Sequence, residues 1–333
     1  MSSPSLSLGP DVQLSSEALE RAARTPGTQI RLTAAADDAL RTARDALEQV
    51  RDAGAAVYGV TTGFGPLHEY SAEEGPVDHG QGLLAHLATG TGDLAAPAVV
   101  RAMMLARLQA LAQGHSAIRP ATMNGVLAFF EANLVPAVPE IGSLGASGDL
   151  TPLAHVARAC TGRGRVLDDS GAPEDADAAL RRAGMEPLSL DARDALALVN
   201  GTSFMTGTAA LAVARAERLL ERAEALTGWA YRLLGCSLEA LDPRLHEARG
   251  HGGQVDSAAA IREAATRQGP AERPERPMQE AYSLRCAPQV LGAVRDHLAH
   301  VRGLVETELN GVNDNPVIDP EAPAALHGGN FQG

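Results

Sequence analysis

The run Ile141-Gly142-Ser143-Leu144-Gly145-Ala146-Ser147-Gly148-Asp149-Leu150-Thr151-Pro152-Leu153-Ala154-His155 decides how this chain of 333 residues is read. At its centre stand three small residues, Ala146-Ser147-Gly148. Glycine reaches backbone geometries closed to other residues, and alanine leaves space beside its carbonyl. The amide nitrogen of Gly148 can therefore fold back onto the carbonyl carbon of Ala146. Loss of one water closes a five-membered ring, and loss of the Ser147 hydroxyl as a second water leaves an exocyclic methylene. The product, a methylidene-imidazolone, is an electrophile made from backbone, which no ordinary side chain supplies.

A bare Ala-Ser-Gly is most simply a turn, so the surrounding residues carry the argument. A serine hydrolase with Ser147 as nucleophile and His155 and Asp149 as partners is disfavoured. Its nucleophile elbow needs Gly-x-Ser-x-Gly between a strand and a helix, whereas Gly148 follows Ser147 directly and Asp149 stands where the second glycine belongs. The whole run resembles the signature of the aromatic amino-acid and histidine ammonia-lyase family, and the resemblance extends over residues 15–331. It implies a mainly α fold, a long-helix bundle with a loop-rich N-terminal region carrying the prosthetic-group tripeptide. It also implies a methylidene-imidazolone formed from Ala146, Ser147 and Gly148, with no external cofactor.

Composition narrows the partners. Hydrophobic residues at 45% and charged residues at 21% are globular values, and the abundance of alanine and leucine favours helix over sheet. A net charge of -13 argues against nucleic acid. No stretch has the length of a membrane span, and residues 1–13 lack the layout of a signal peptide. Cys160, Cys236 and Cys286 are odd in number and unpaired by spacing, which fits reduced thiols and a cytoplasmic location. No spacing points to a metal site.

Along the chain, residues 1–15 are Ser- and Pro-rich and read as a disordered tail. Helices are predicted at 16–24, 37–52, 79–89, 97–113 and 120–134, with a loop at 58–70. Thr151 and Pro152 read as N-cap and first-turn proline of a helix ending near Cys160, its N-terminus aimed at the tripeptide. Residues 163–187 read as irregular, with a short hairpin around 168–171. Apolar positions from 206 to 241 predict one helix of roughly 50 Å. A Gly- and Pro-rich stretch at 249–277 separates it from a second long helix starting near Pro288. Two such helices predict a bundle. The division expected is a tail (1–15), an N-terminal region bearing the tripeptide (16–200), and a central long-helix region (201–333).

The remaining site residues come from the resemblance. Tyr58, in Tyr58-Gly59-Val60-Thr61-Thr62-Gly63-Phe64-Gly65, matches the tyrosine that takes the β-proton of the substrate. A phenol whose ordinary pKa is about 10 needs hydrogen bonds or positive charge to act as a base. In Gln279-Glu280-Ala281-Tyr282-Ser283-Leu284-Arg285, Arg285 matches the arginine that grips the substrate carboxylate, a task suited to its planar fork. Tyr282 would line the site near the amine, and Gln279 would hydrogen-bond within it. Glu280 departs from the aspartate usual in the family. Asn200 matches an asparagine beside the ring, and Phe331 would pack on the aromatic group of the substrate. His86-Leu87 resembles the histidine-leucine pair of tyrosine enzymes. An imidazole suits a phenol hydroxyl because it can donate or accept, so L-tyrosine or a close hydroxyaryl analogue is the expected substrate.

The resemblance ends with the chain at Gly333, whereas family members continue. A split enzyme completed by a second polypeptide, a truncation, and a compact variant all remain open, as does a homo- or hetero-oligomer resembling the family's tetramers. Alone, the chain is expected to be inactive or aggregated. The function expected is ammonia elimination to a trans-cinnamate-type acid. An aminomutase that re-adds ammonia at the β-carbon, or a non-catalytic helical scaffold, are the alternatives.

Overall fold

The computed structural model describes residues 4–65, 68–69, 76–267 and 277–332. Helix accounts for 57% of the described residues, and the mainly α class holds. In order come β1 (Ser5–Leu8), α1 (Ser16–Arg24), β2 (Gln29–Leu32), α2 (Ala34–Asp52), α3 (Pro76–Leu87), β3 (Thr91–Leu94), α4 (Pro97–Ala112) and α5 (Pro120–Glu131). Next are β4 (Val135–Pro136), β5 (Pro139–Ile141), α6 (Leu150–Cys160), β6 (Arg165–Leu167), β7 (Pro173–Asp175), α7 (Ala176–Arg182) and α8 (Ala192–Val199). The long α9 (Ser203–Leu233) leads to a 3-10 turn (Leu238–Leu241), α10 (Pro243–Glu247), α11 (Gly252–Thr266), α12 (Tyr282–Arg285), α13 (Ala287–Asn310), β8 (Val317–Asp319) and β9 (Ala324–Leu326). Among the described residues no helix is long and apolar enough to cross a membrane.

The chain forms two units, residues 1–211 with 305–333, and residues 212–304. The boundary expected at residue 200 falls inside the first. That unit is built around α4, whose residues 100–112 are all buried. A helix buried on every side belongs at a core centre, and α1, α2 and α5 pack on it. A second group, α3, α6 and α8, packs mutually. The polar side chains of α4 are matched rather than excluded. Arg101 donates to Ala23 O at 2.9 Å and Asn133 Oδ1 at 2.9 Å, and lies 4.0 Å over the Phe130 ring. Arg107 donates to Ala197 O at 2.8 Å and Asn313 O at 2.7 Å. Arg107 and Arg193 both pair with Asp314, all three side chains being at most 3% exposed. Burial pushes the Arg107 guanidinium down to about 10, against the pull of Asp314 and with the push of Arg193.

The second unit has a small core of Tyr231, Cys236, Leu241, Ile261, Ala265 and Ala287. Glu224, 2% exposed, accepts from Ser257 Oγ and Arg295 Nη2, each at 2.6 Å. By contrast Leu219, Leu226, Trp229 and Leu233 of α9 and Val290, Val294, Val301 and Leu304 of α13 are exposed.

Several expectations need correction. The stretch read as a disordered tail carries β1, paired in parallel with β2 from Ser5–Gln29 to Leu8–Leu32. Buried Leu8 and Leu14, and Gly9 N–H donated to Gln109 Oε1 at 3.2 Å, outweigh its Ser- and Pro-rich composition. The helix expected from 206 to 241 ends at Leu233, because Gly235 turns left-handed at φ 63 and Cys236 N bonds Tyr231 O at 2.8 Å. That is the six-to-one bond of a Schellman cap. The irregular stretch at 163–187 contains α7, capped by the Asp175 side chain accepting from Ala178 N. The Gly- and Pro-rich stretch at 249–277 contains α11, and residues 268–276 lie outside those described. Of the loop at 58–70, residues 66, 67 and 70 also lie outside them. The hairpin around 168–171 is present as β6–β7.

Replacing Asp314 by alanine leaves two buried guanidinium groups without their counter-charge. We expect a stability loss of about 3–5 kcal/mol, read as a lowered denaturant midpoint. A midpoint unchanged from wild type contradicts this account of the core.

Candidate active site

The tripeptide is held in a conformation that its sequence alone does not explain. Ser147 and Gly148 are both left-handed, at φ 64 and φ 79. A non-glycine residue there is uncommon and costs on the order of 1–3 kcal/mol, so it persists only where the surroundings over-determine it. Here both flanks are fixed. Ala146 bridges Phe331 in antiparallel fashion and Gly148 bridges Gly201 in parallel. Ser147 N donates to Asn330 O at 2.8 Å, Asp149 N to Gly201 O at 2.7 Å, and Gln332 N to Gly145 O at 2.9 Å. A Cβ on Gly148 would lie 2.2 Å from Gly201 O, and one on Gly201 would lie 2.3 Å from Arg107 Nη1. Only glycine fits either place. Ala146 and Ser147 remain exposed, whereas Gly148 is buried.

Asp149 follows the tripeptide and is fully buried. Its Oδ2 accepts from Phe204 N at 2.8 Å and Met205 N at 3.0 Å, the first turn of α9. Its Oδ1 accepts from Ser143 Oγ and Gln332 Nε2. Burial pushes this carboxyl up, while the bonds from Ser143, Met205, Phe204 and Gln332 pull it back down. Asp149 is also the residue before α6, in place of the expected Thr151 cap, and makes no side-chain bond to that helix. Its carboxylate is spent on α9 instead. The N-terminus of α6 nevertheless follows the tripeptide directly, so its partial positive charge sits beside it.

The segment 327–332 ties other predicted residues to this place. Asn200, 4% exposed, accepts from Asn330 Nδ2 at 2.7 Å and donates to Asn315 O at 3.2 Å. Phe331 is 74% exposed, with its ring edge against Gly145. His327 Nε2 receives the N–H of Tyr58 at 3.2 Å. Tyr58 Oη accepts from Gly65 N at 2.9 Å, and its ring meets Phe64 edge-on at 6.4 Å between centroids. His86 is exposed on the last turn of α3, and Leu87 packs half-buried on the core.

Gln279, Tyr282 and Arg285 belong to the second unit. Gln279 and Arg285 line a cavity of about 560 Å³ with His246, Gln254 and Gln289. Tyr282, 71% exposed, lies under the Arg285 guanidinium at 3.8 Å. Among the described residues Arg285 Nε is buried without a hydrogen-bond partner, an unused donor on the group expected to grip a carboxylate. Glu280 accepts from Ser237 N at 3.0 Å, so the longer side chain is anchored on backbone.

Sequence reading missed the parts played by Asp149, His327, Asn330 and Gln332. Asp149 lay inside the quoted run; the others stood only as neighbours of Phe331 in a Gly- and Asn-rich segment.

The family model described as aromatic amino acid lyase matches residues 14–333. The chain is 42% identical to the tyrosine ammonia-lyase of Cupriavidus metallidurans, over 87% of this chain and 58% of that protein. It is 42% identical to the histidine ammonia-lyase of Geobacillus thermodenitrificans, over 89% of this chain and 59% of that protein. Its fold matches the tyrosine aminomutase of Streptomyces globisporus at a TM-score of 0.87 and 36% identity, over 98% of this chain and 66% of that one. The chain thus belongs to the aromatic amino acid lyase family. It spans a little under three fifths of the length of these two curated relatives.

Asp149→Asn replaces one of two accepting oxygens by an N–H₂, so the backbone N–H groups of Phe204 and Met205 or the Gln332 amide lose an acceptor. We expect a loss of about 1–3 kcal/mol, seen as a lower denaturant midpoint with helical circular dichroism retained. An unaltered midpoint shows that the carboxylate is not what ties the tripeptide to α9.

Proposed function

We propose that this chain carries the prosthetic-group half of an aromatic amino-acid ammonia-lyase acting on L-tyrosine or a close hydroxyaryl analogue. The observation that carries the reading is the left-handed pair Ser147-Gly148, held between Gly201 and residues 330–332. Small residues at 145, 146, 148 and 201, with Gly148 turned back at φ 79, fit a chain poised to close on itself. The methylidene-imidazolone made from Ala146, Ser147 and Gly148 would supply an electrophile that activates the substrate for loss of ammonia.

The other roles fall to this chain's own residues. Tyr58 takes the β-proton at a phenol oxygen that already has the Gly65 N–H aimed at it. Arg285 offers its unused donor to the carboxylate, and Tyr282 stacks on that guanidinium. Asn200 and Gln279 hydrogen-bond the ligand, and Phe331 covers its ring. His86, at the exposed end of α3, meets the phenol hydroxyl, with Leu87 as the apolar neighbour. A site built to bond that hydroxyl rejects the analogue lacking it. Identity to a tyrosine ammonia-lyase supports this substrate.

The exposed apolar faces of α9 and α13 support an oligomer, homo- or hetero-. The setting proposed is the cytoplasm. The likeness to a tyrosine aminomutase keeps an elimination followed by re-addition as the second reading. Free ammonia with an unsaturated acid supports the lyase, and a β-amino acid the aminomutase.

Intact-mass measurement of the purified chain, with its partner present, should show a deficit of two waters. That deficit should map to the peptide containing Ser147 and vanish in Ser147→Ala. A full-mass wild-type chain in the assembled protein ends the proposal. His86→Phe should move the kcat/KM ratio of tyrosine over phenylalanine towards phenylalanine by at least about tenfold; an unmoved ratio removes His86 from substrate choice.

A further inference from the structure

We propose that the first unit carries, apart from the catalytic residues, a binding site for small organic carboxylates with an apolar body. The site is a recess of about 320 Å³ lined by β3, β5, α6 and the turn into β6, a volume at the small end of ligand pockets. One side is apolar, formed by Leu94, Ala137, Pro139 and Pro173. The other is cationic, formed by Arg158, Arg163 and Arg165, with His155 beside them.

Three arginines around one recess call for an explanation in a chain with 41 acidic and 28 basic residues. Their neighbours Arg181 and Arg182 are paired with Asp177 and Glu174. The three of the recess are not. Among the described residues their side chains bond only neutral carbonyls, Arg158 to Arg163 O at 3.0 Å and Arg165 to Pro173 O at 2.8 Å. Arg163 is exposed and makes no such bond. Asp175 stands opposite Arg165 in the β6–β7 pair, but its carboxylate accepts from Ala178 N; like charges gathered without an ion pair of their own are unfavourable, and a bound anion removes that cost. Fork-shaped guanidinium groups pair with carboxylates through two parallel bonds. The facing proline and leucine surface then selects an organic body over a bare inorganic ion.

His155 reinforces the polarity of the recess. Gly90 N–H donates to its Nε2 at 3.2 Å, so the ring is neutral with its proton on Nδ1. Burial, and then the charge of Arg158, both disfavour a second proton. The bond to Gly90 also ties the recess to the segment that follows His86 and Leu87. A Cβ at Gly90 would lie 3.1 Å from His155 Nε2 and 3.2 Å from Pro139 Cβ, so this backbone is packed directly on two residues of the recess. The products of the proposed elimination, arylacrylates, belong to the chemical class that fits. The inference itself does not rest on catalysis.

The test is calorimetric titration of the whole chain, with its partner present if one is required, using trans-cinnamate, the neutral trans-cinnamyl alcohol and inorganic phosphate. Trans-cinnamate should bind wild type and Ser147→Ala alike. Binding should weaken by at least about tenfold in the Arg158→Gln/Arg165→Gln double variant and clearly in Arg163→Glu. Arg163→Glu alters an exposed side chain and guards against misfolding of the double variant. The alcohol and phosphate should each bind more weakly than cinnamate. Equal cinnamate affinity in the arginine variants overturns the site. Equal binding of the alcohol removes the carboxylate requirement, and equal binding of phosphate removes the apolar one; either overturns the proposal as stated. Arginine-dependent binding in a chain that never loses two waters keeps this site and ends the catalytic reading. Loss of two waters with indifferent arginine variants does the reverse.

Discussion

The close approach of two glycines, Gly148 and Gly201, is the constraint on which the first unit turns. Neither position tolerates a Cβ, because Gly201 O faces one and the Arg107 guanidinium with Asn313 faces the other. That contact lets Asp149 N reach Gly201 O and brings the Asp149 carboxylate to the first turn of α9. On its far side Gly201 abuts the buried cluster in which Arg107 and Arg193 share Asp314. The strained backbone at Ser147 is thereby continuous with a cluster of buried charges. A left-handed serine in a free surface loop would relax. Here relaxation has to displace α4, α9 and the 313–315 segment together.

What the sequence made legible was chiefly what local chemistry controls. The helices Ser16–Arg24 and Pro97–Ala112 were readable from spacing, proline and caps, and the latter is mostly apolar. The tripeptide was readable because the whole run from Ile141 to His155 resembles a family signature. Its partners were not. Asp149 meets Phe204 across 55 residues and Gln332 across 183, separations no local pattern encodes. The first strand escaped for the same reason: Ser5 to Leu8 looks featureless until Gln29 to Leu32 lies beside it. Glycine misled in the opposite direction. Gly252 and Gly253 suggested a break, yet they open a helix where Gly253 packs against Gly292 and donates its N–H to Asp296. Small residues there serve close helix packing, not flexibility.

The site residues divide along the same line as the chain. Ala146, Ser147, Gly148, Asn200, Phe331 and Tyr58 are linked within the first unit by hydrogen bonds and bridges of the 327–332 segment. Gln279, Tyr282 and Arg285 occur in the second. The hydrogen bonds and bridges that shape the tripeptide are made inside the first unit, with Gly145, Gly201 and residues 330–332. The second unit shows, among the described residues, a guanidinium nitrogen buried without a partner and two long helices exposing leucine, valine and tryptophan. The bonds that hold the tripeptide and the apolar faces left exposed thus fall in different units of the chain. Apolar stripes such as those of α9 and α13 are more stable packed against another surface than in water.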